Sequence, residues 1–193
     1  MTNPFAPEFL KSKFASGLLY DAYVASGKPN EQENWRAFHA RVAITPAHRS
    51  LFAGFVRQIN VLCLSGTWCG DCVQQVPFLD HIQRTNPERI AVRYLDRDAN
   101  PDISIPLKIC GGARVPVTLW LNEDWDFLGY MGDRSLSRYR VLAAKQLGGA
   151  CPLPGAPTPP DEIAAQLADY VGEFERAHLM LRLSTKMRQR YGD

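Results

Sequence analysis

The pentapeptide Trp68-Cys69-Gly70-Asp71-Cys72 constrains this chain more than any other feature. Two cysteines two residues apart, set between an apolar run and an amphipathic stretch, fix a local fold and a chemistry together. Residues 61–64 (Val-Leu-Cys-Leu) have the length and branched content of a buried strand, and Ser65, Gly66 and Thr67 break it. Beyond the cysteines, Val73, Val76, Pro77, Leu79 and Ile82 recur at roughly helical spacing, so the pair is expected where a strand hands over to a helix. Cys69 then lies at the helix N-terminus, where unpaired backbone N–H groups and the positive end of the helix dipole stabilise a thiolate, the species that attacks disulfides. Thiol–disulfide exchange is the leading expectation; half a zinc site or two unrelated core cysteines are the alternatives.

Composition narrows the setting. A chain of 193 residues with 46% hydrophobic content suits one domain with extensions and a sizeable core. A net charge of +2 points to no strong polyanion partner, and no aromatic-basic surface pattern supports nucleic-acid binding. The first residues, Met1-Thr2-Asn3-Pro4-Phe5-Ala6-Pro7-Glu8, do not read as a secretory signal. No stretch has the length and apolarity of a membrane span. Three of the five cysteines lie outside the motif at irregular spacing, which is not a disulfide framework; a cytoplasmic location is the expectation.

Four stretches are expected. Residues 1–58 read as an N-terminal helical extension of three helices: one through Phe9, Phe14, Leu18 and Tyr23 to Gly27, a second over 31–42, and a third opened by Thr45-Pro46 and running to about Gln58. Residues 59–148 read as strand, helix, strand, short helix, strand, strand, helix. In this stretch residues 90–95 form the second strand, and 117–121 and 127–131 pair as a hairpin across Glu123-Asp124. Residues 149–160 are a proline- and glycine-rich linker, and 161–193 form one long helix packed back on the body, with a basic end (Arg182, Lys186, Arg188, Arg190) taken as a solvated tail.

The motif resembles that of the thioredoxin superfamily in Trp68, Cys69, Gly70 and Cys72, in Pro77 five residues beyond, and in residues 111–118, which look like the superfamily's cis-proline loop followed by a strand. The chain looks most similar to a bacterial thioredoxin-like branch with a helical N-terminal extension and Gly132-Asp133-Arg134 after the last strand. The resemblance implies an α/β thioredoxin fold: a central mixed sheet flanked by helices, with added N- and C-terminal helices. It implies a thiol–disulfide oxidoreductase whose partners are disulfide-containing proteins and an electron donor such as a thioredoxin reductase or small thiols, with no cofactor of its own and no metal.

Roles follow residue by residue. Cys69 is the expected nucleophile and Cys72 the resolving cysteine one helical turn inside. Gly70 leaves room for a partner chain, and Trp68 is either a platform beside the site or a buried structural residue. Val115 and Pro116 are the substrate contacts that the resemblance implies; X–Pro bonds in folded proteins are cis only about 5–6% of the time, so without the resemblance the Val115–Pro116 bond would be expected trans. Asp71 stands where the most familiar version of the motif has proline, and its charge is expected to raise the Cys69 pKa and favour reductant behaviour. Cys63 occupies the place, six residues before Cys69, where many thioredoxins carry a buried aspartate that helps deprotonate the resolving cysteine; a thiol is a poorer acceptor. Cys110 is read as an inert thiol, with a redox or glutathionylation role as the alternative, Cys151 as incidental, and the four histidines as without a role. Two further readings stand beside the oxidoreductase: a binding module whose helical extensions cover the site, and a zinc site from Cys69, Cys72 and Cys110.

Overall fold

The computed structural model describes residues 4–147 and 161–192. The expected linker, with Cys151, lies outside the described residues. At the centre runs β1 (Ile59–Ser65), every residue of which is buried, because the strand is covered on both faces and therefore reads as a nearly continuous apolar run. β2 (Ile90–Asp96) pairs with it in parallel on one side. β3 (Val117–Leu121) pairs antiparallel on the other side and turns back into β4 (Phe127–Gly132), giving the mixed sheet order β2-β1-β3-β4. The expected strand order, parallel first pair and terminal hairpin are all present.

Between β1 and β2 the chain forms α5 (Gly70–Val73) and α6 (Val76–Thr85), two helices rather than one continuous helix. Pro77 sits in the first turn of α6, where its missing N–H leaves no helical bond unmade. After β2 come α7 (Pro101–Ser104) and the loop to β3; after β4 comes α8 (Leu136–Leu147).

The N-terminal extension holds four helices: α1 (Pro7–Ser16), α2 (Tyr20–Ala25), α3 (Pro29–His39) and α4 (Pro46–Ala53). The single helix expected through Phe9 to Tyr23 is split. Gly17 packs so closely on Arg93 that a Cβ would come within 2.7 Å of the arginine's Cβ. Leu18 then exchanges two 2.9 Å backbone hydrogen bonds with Tyr94, covering part of the outer edge of β2. Thr45 caps α4 as expected, accepting from the His48 N–H, but the helix stops at Gly54 because Phe55 turns into the core ahead of β1.

The C-terminal stretch also divides. α9 (Glu162–Leu183) buries Leu167, Tyr170, Val171, Phe174, Ala177 and Leu181, a stripe at helical spacing, with Phe174 set edge-on to Trp120 and Phe52. Ser184 breaks the helix in extended conformation and caps α10 (Thr185–Tyr191). The basic end is exposed, as expected, and two of its charges also pair at the surface: Lys186 lies 2.5 Å from Asp126 and Arg190 3.1 Å from Asp124, both in the β3–β4 turn.

Candidate functional site

Cys69 is the N-cap residue of α5, with extended backbone (φ −87, ψ 120). Its sulfur is half-buried, and that of Cys72, one turn inside, is fully buried; both are free thiols. The Cys72 S–H, followed by the backbone N–H groups of Cys72 and Asp71, donates to the Cys69 sulfur and brings its pKa down to about 6, against the opposing effects of burial and of the Asp71 charge. Burial, reinforced by the neighbouring Cys69, pushes Cys72 well above the ordinary thiol value. At neutral pH the pair is thus a thiolate at the surface backed by a thiol in the interior.

Facing the pair, the Val115–Pro116 peptide bond is cis, and the Val115 carbonyl oxygen lies 3.6 Å from Cys69 Sγ. Gly70 would meet no atom within 4 Å if it carried a Cβ, so no packing within the chain demands glycine there, and the space beside Cys69 is open. Trp68 is 50% exposed and forms a platform: the Arg97 guanidinium lies 4.7 Å over its ring, while the ring itself presses on Gly66. Arg97 also donates to the Ala113 carbonyl, tying Trp68 to the cis-proline loop.

The Asp71 charge opposes the Cys69 thiolate as expected, and the carboxylate is paired. Arg134 donates to Asp71 Oδ2 from Nη2 at 2.6 Å and Nε at 3.0 Å, and Arg138 Nε lies 3.5 Å from Oδ1. The repulsion from this carboxylate is the smallest of the influences on Cys69, and the Cys72 thiol with the backbone N–H groups outweighs it, so the net Cys69 pKa falls. Cys63 is fully buried, its thiol pushed up to about 12 by that burial, and it receives a weak 3.9 Å hydrogen bond from Thr118. It is no proton acceptor for Cys72.

Several residues that position the site went unassigned in the sequence. Gln75, fully buried, donates to the backbone carbonyls of Asp71 and Asp133 and accepts from the Ser135 N–H, binding the α5–α6 junction to the β4–α8 loop. Asp133 accepts from Tyr139 and from Arg114 of the cis-proline loop. From the N-terminal extension, Trp35 donates to the Thr67 carbonyl at 2.8 Å, and Glu31 accepts from the Thr67 hydroxyl at 2.7 Å. The only sequence signal was Gly132-Asp133-Arg134, noted as a family likeness; the remaining partners come from distant segments.

A cleft of about 760 Å³ opens beside Gly70, walled by Asn34, Phe38 and Arg41 of the extension, by Val73 and Gln74, and by Ile163 at the start of α9. Cys110 lies exposed in the turn closed by Ile109 and Gly112. Among the described residues no group of three or more His, Cys, Asp or Glu side chains is placed to hold a metal ion. The histidines have structural partners: His39 bonds Asp80 at 2.8 Å and lies against the tilted ring of His81, His178 stacks on Phe55, and His48 lies in the first turn of α4. No helix among the described residues is long and apolar enough to cross a membrane.

A four-stranded mixed sheet with a Cys-x-x-Cys pair at the β1–α5 junction and a cis-proline opposite defines the class of thioredoxin-fold proteins. Residues 17–144 match the family model described as thioredoxin, and the chain belongs to the thioredoxin superfamily. Among solved structures, the chain is similar to a protein of unknown function from Pseudomonas aeruginosa, with 22% identity over 84% of this chain and 97% of that one and a TM-score of 0.63. It is also similar to an HIV epitope-scaffold, with 22% identity over 87% of this chain and 92% of that one and a TM-score of 0.59. At such identity the likeness concerns the fold alone. No curated protein matches the chain.

Proposed function

We propose that the protein is a thiol–disulfide oxidoreductase that reduces disulfides in partner proteins. The observation that carries this reading is the pairing of a half-exposed Cys69, held near a pKa of about 6, with a buried, protonated Cys72 one turn away. Cys69 thiolate attacks one sulfur of a substrate disulfide, forming a mixed disulfide and releasing the other sulfur as a thiolate. Cys72 then attacks Cys69 Sγ, releasing the reduced substrate and leaving a Cys69–Cys72 disulfide. Val115 and Pro116 line the approach, and the Val115 backbone, beside Cys69 Sγ, is the substrate contact.

The direction of transfer rests on how far the thiolate is stabilised. A pKa of about 6 lies nearer the value of about 7 in reducing thioredoxins than the value of about 3.5 in the strongly oxidising periplasmic enzyme. A less stabilised thiolate makes a more reducing couple, so the protein belongs toward the reductase end. A thioredoxin reductase or small thiols would recycle it in a cytoplasmic setting. The partial exposure of Cys69 disfavours the alternative of a binding module with a covered site. Reduction of insulin by the wild type, lost in Cys69→Ser, tests the proposal; wild-type protein that leaves insulin oxidised in the presence of excess dithiol donor would overturn it.

A further inference from the structure

The resolving cysteine has no acid–base partner where its superfamily relatives are expected to keep one, yet its surroundings are not apolar. Alternation along β1 places Ser65 on the same face as Cys63, one pleat nearer the cysteine pair. Tyr94 lies opposite Cys63 in the parallel ladder, and Tyr23 of α2 stacks on the Tyr94 ring at 5.7 Å. The hydroxyls of Ser65 and Tyr23 face one another's surroundings in this interior, and neither has a hydrogen-bond partner among the described residues. Two bare hydroxyls in one buried patch are costly and call for a use.

Ser65 stands between the other participants. In the dithiol form its hydroxyl stops short of bonding geometry, but it lies close enough to Cys72 and to Tyr23 to ease charge on either, and the Gly66 N–H does the same for Cys72. Tyr23 is held neutral by burial, so it serves as a donor and not as a base. The other groups that act with Cys72 are Cys69 at the α5 N-cap and Tyr170 from α9; Cys63 from β1 acts on Tyr23 and Tyr170, Asp96 on Tyr23 and Asp169 on Tyr170. Asp71, next in sequence, is paired with Arg134. Among the described residues no carboxylate acts on the Cys72 sulfur.

We infer that Ser65 is the positioning residue for the resolving step, taking over by hydrogen bonding what a buried carboxylate would do by proton transfer. Its hydroxyl turns to donate to Cys72 Sγ as that sulfur gains negative charge, and the Tyr23 hydroxyl donates to Ser65 Oγ from behind. The step rests on the oxidoreductase reading above. The Cys69–Cys72 bond forms as the bond from Cys69 to the substrate sulfur breaks; the Cys72 proton ends on the departing substrate thiolate, and Ser65 keeps its own. The substrate disulfide is the oxidant and the dithiol the reductant, so nothing else is consumed.

Single-turnover reaction with a chromogenic aromatic disulfide separates the two steps, since the first thiolate released reports attack by Cys69 and the second reports resolution. Ser65→Ala is expected to leave the first phase unchanged, to slow the second about tenfold, as for loss of one hydrogen bond to a charged atom, and to move its pH midpoint upward. Ser65→Thr, which keeps the hydroxyl, restores both rate and midpoint, and Tyr23→Phe falls between. A second phase in Ser65→Ala with the wild-type rate and midpoint overturns the inference, as does a Ser65→Thr variant that stays as slow as Ser65→Ala. Failure of the oxidoreductase reading looks different: the wild type itself gives no first phase, and the inference falls with it.

Discussion

Arg134, just beyond β4, holds Asp71, between the two cysteines, by two hydrogen bonds to one carboxylate oxygen across 63 residues of sequence. This contact pairs a charge that opposes the Cys69 thiolate. Unpaired, Asp71 would stand as a bare negative charge near the Cys69 sulfur; the Cys72 thiol and the N–H groups at the start of α5 outweigh its repulsion. Arg134 →Ala is therefore expected to raise the Cys69 pKa and to slow its alkylation below about pH 6 by about threefold. Asp71→Asn, which leaves Arg134 unpaired near the thiolate, is expected to lower it. Iodoacetamide alkylation followed across pH distinguishes the two directions.

The Cys69 pKa also sets a pH window for stability. In the folded protein it is about 6, against an ordinary value of 9.0, so the folded state binds fewer protons at this site than the unfolded state between these values. The stabilisation is absent below about 6, grows as pH rises toward 9, and is complete above. Reduced wild type should accordingly gain Tm relative to reduced Cys69→Ser as pH rises from 6 to 9. A constant difference in Tm across that range would show that the thiolate is not stabilised by the fold.

The N-terminal extension buttresses the loop that leads into the cysteine pair through Trp35, which is fully buried and donates to the Thr67 carbonyl. Trp35→Phe keeps an aromatic ring but leaves that carbonyl without its donor, at a cost of about 1–3 kcal/mol. Urea unfolding should show the loss, and hydrogen exchange should show faster opening of the loop that carries Thr67 and Trp68.

Gly17 is needed for close approach rather than for an unusual backbone angle. Gly17→Ala sets a methyl 2.7 Å from Arg93 Cβ and should destabilise by about 1–3 kcal/mol through displacement of the Leu18–Tyr94 bridge. Thermal unfolding measures it directly; unchanged stability would mean that the bridge does not anchor the extension.

Local signals made the β1–α5 junction legible: an apolar run, a break and a helical stripe lie within some twenty residues, and no distant contact is needed to read them. The same holds for the Thr45 cap and for the β3–β4 hairpin. What escaped depended on contacts between distant segments. The split after Ser16 follows from the approach of Gly17 to β2, and the helix break at Ser184 from the turn that brings Lys186 and Arg190 to the acidic hairpin. In the site, Cys69, Cys72, Val115 and Pro116 come together as the motif implied. The direction of the Asp71 effect was legible but its small weight was not, because Arg134 enters from another loop and the Cys72 thiol outweighs the charge; Gln75 and Ser65 carry no motif to mark them.

The most direct test of the account is peptide mapping of the mixed disulfide formed by Cys72→Ser with a disulfide-bonded model protein. The account predicts one persistent adduct, linked through Cys69, whose rate of formation rises with pH through a midpoint near 6. An adduct carried instead by Cys110, or no adduct at any pH, would contradict it.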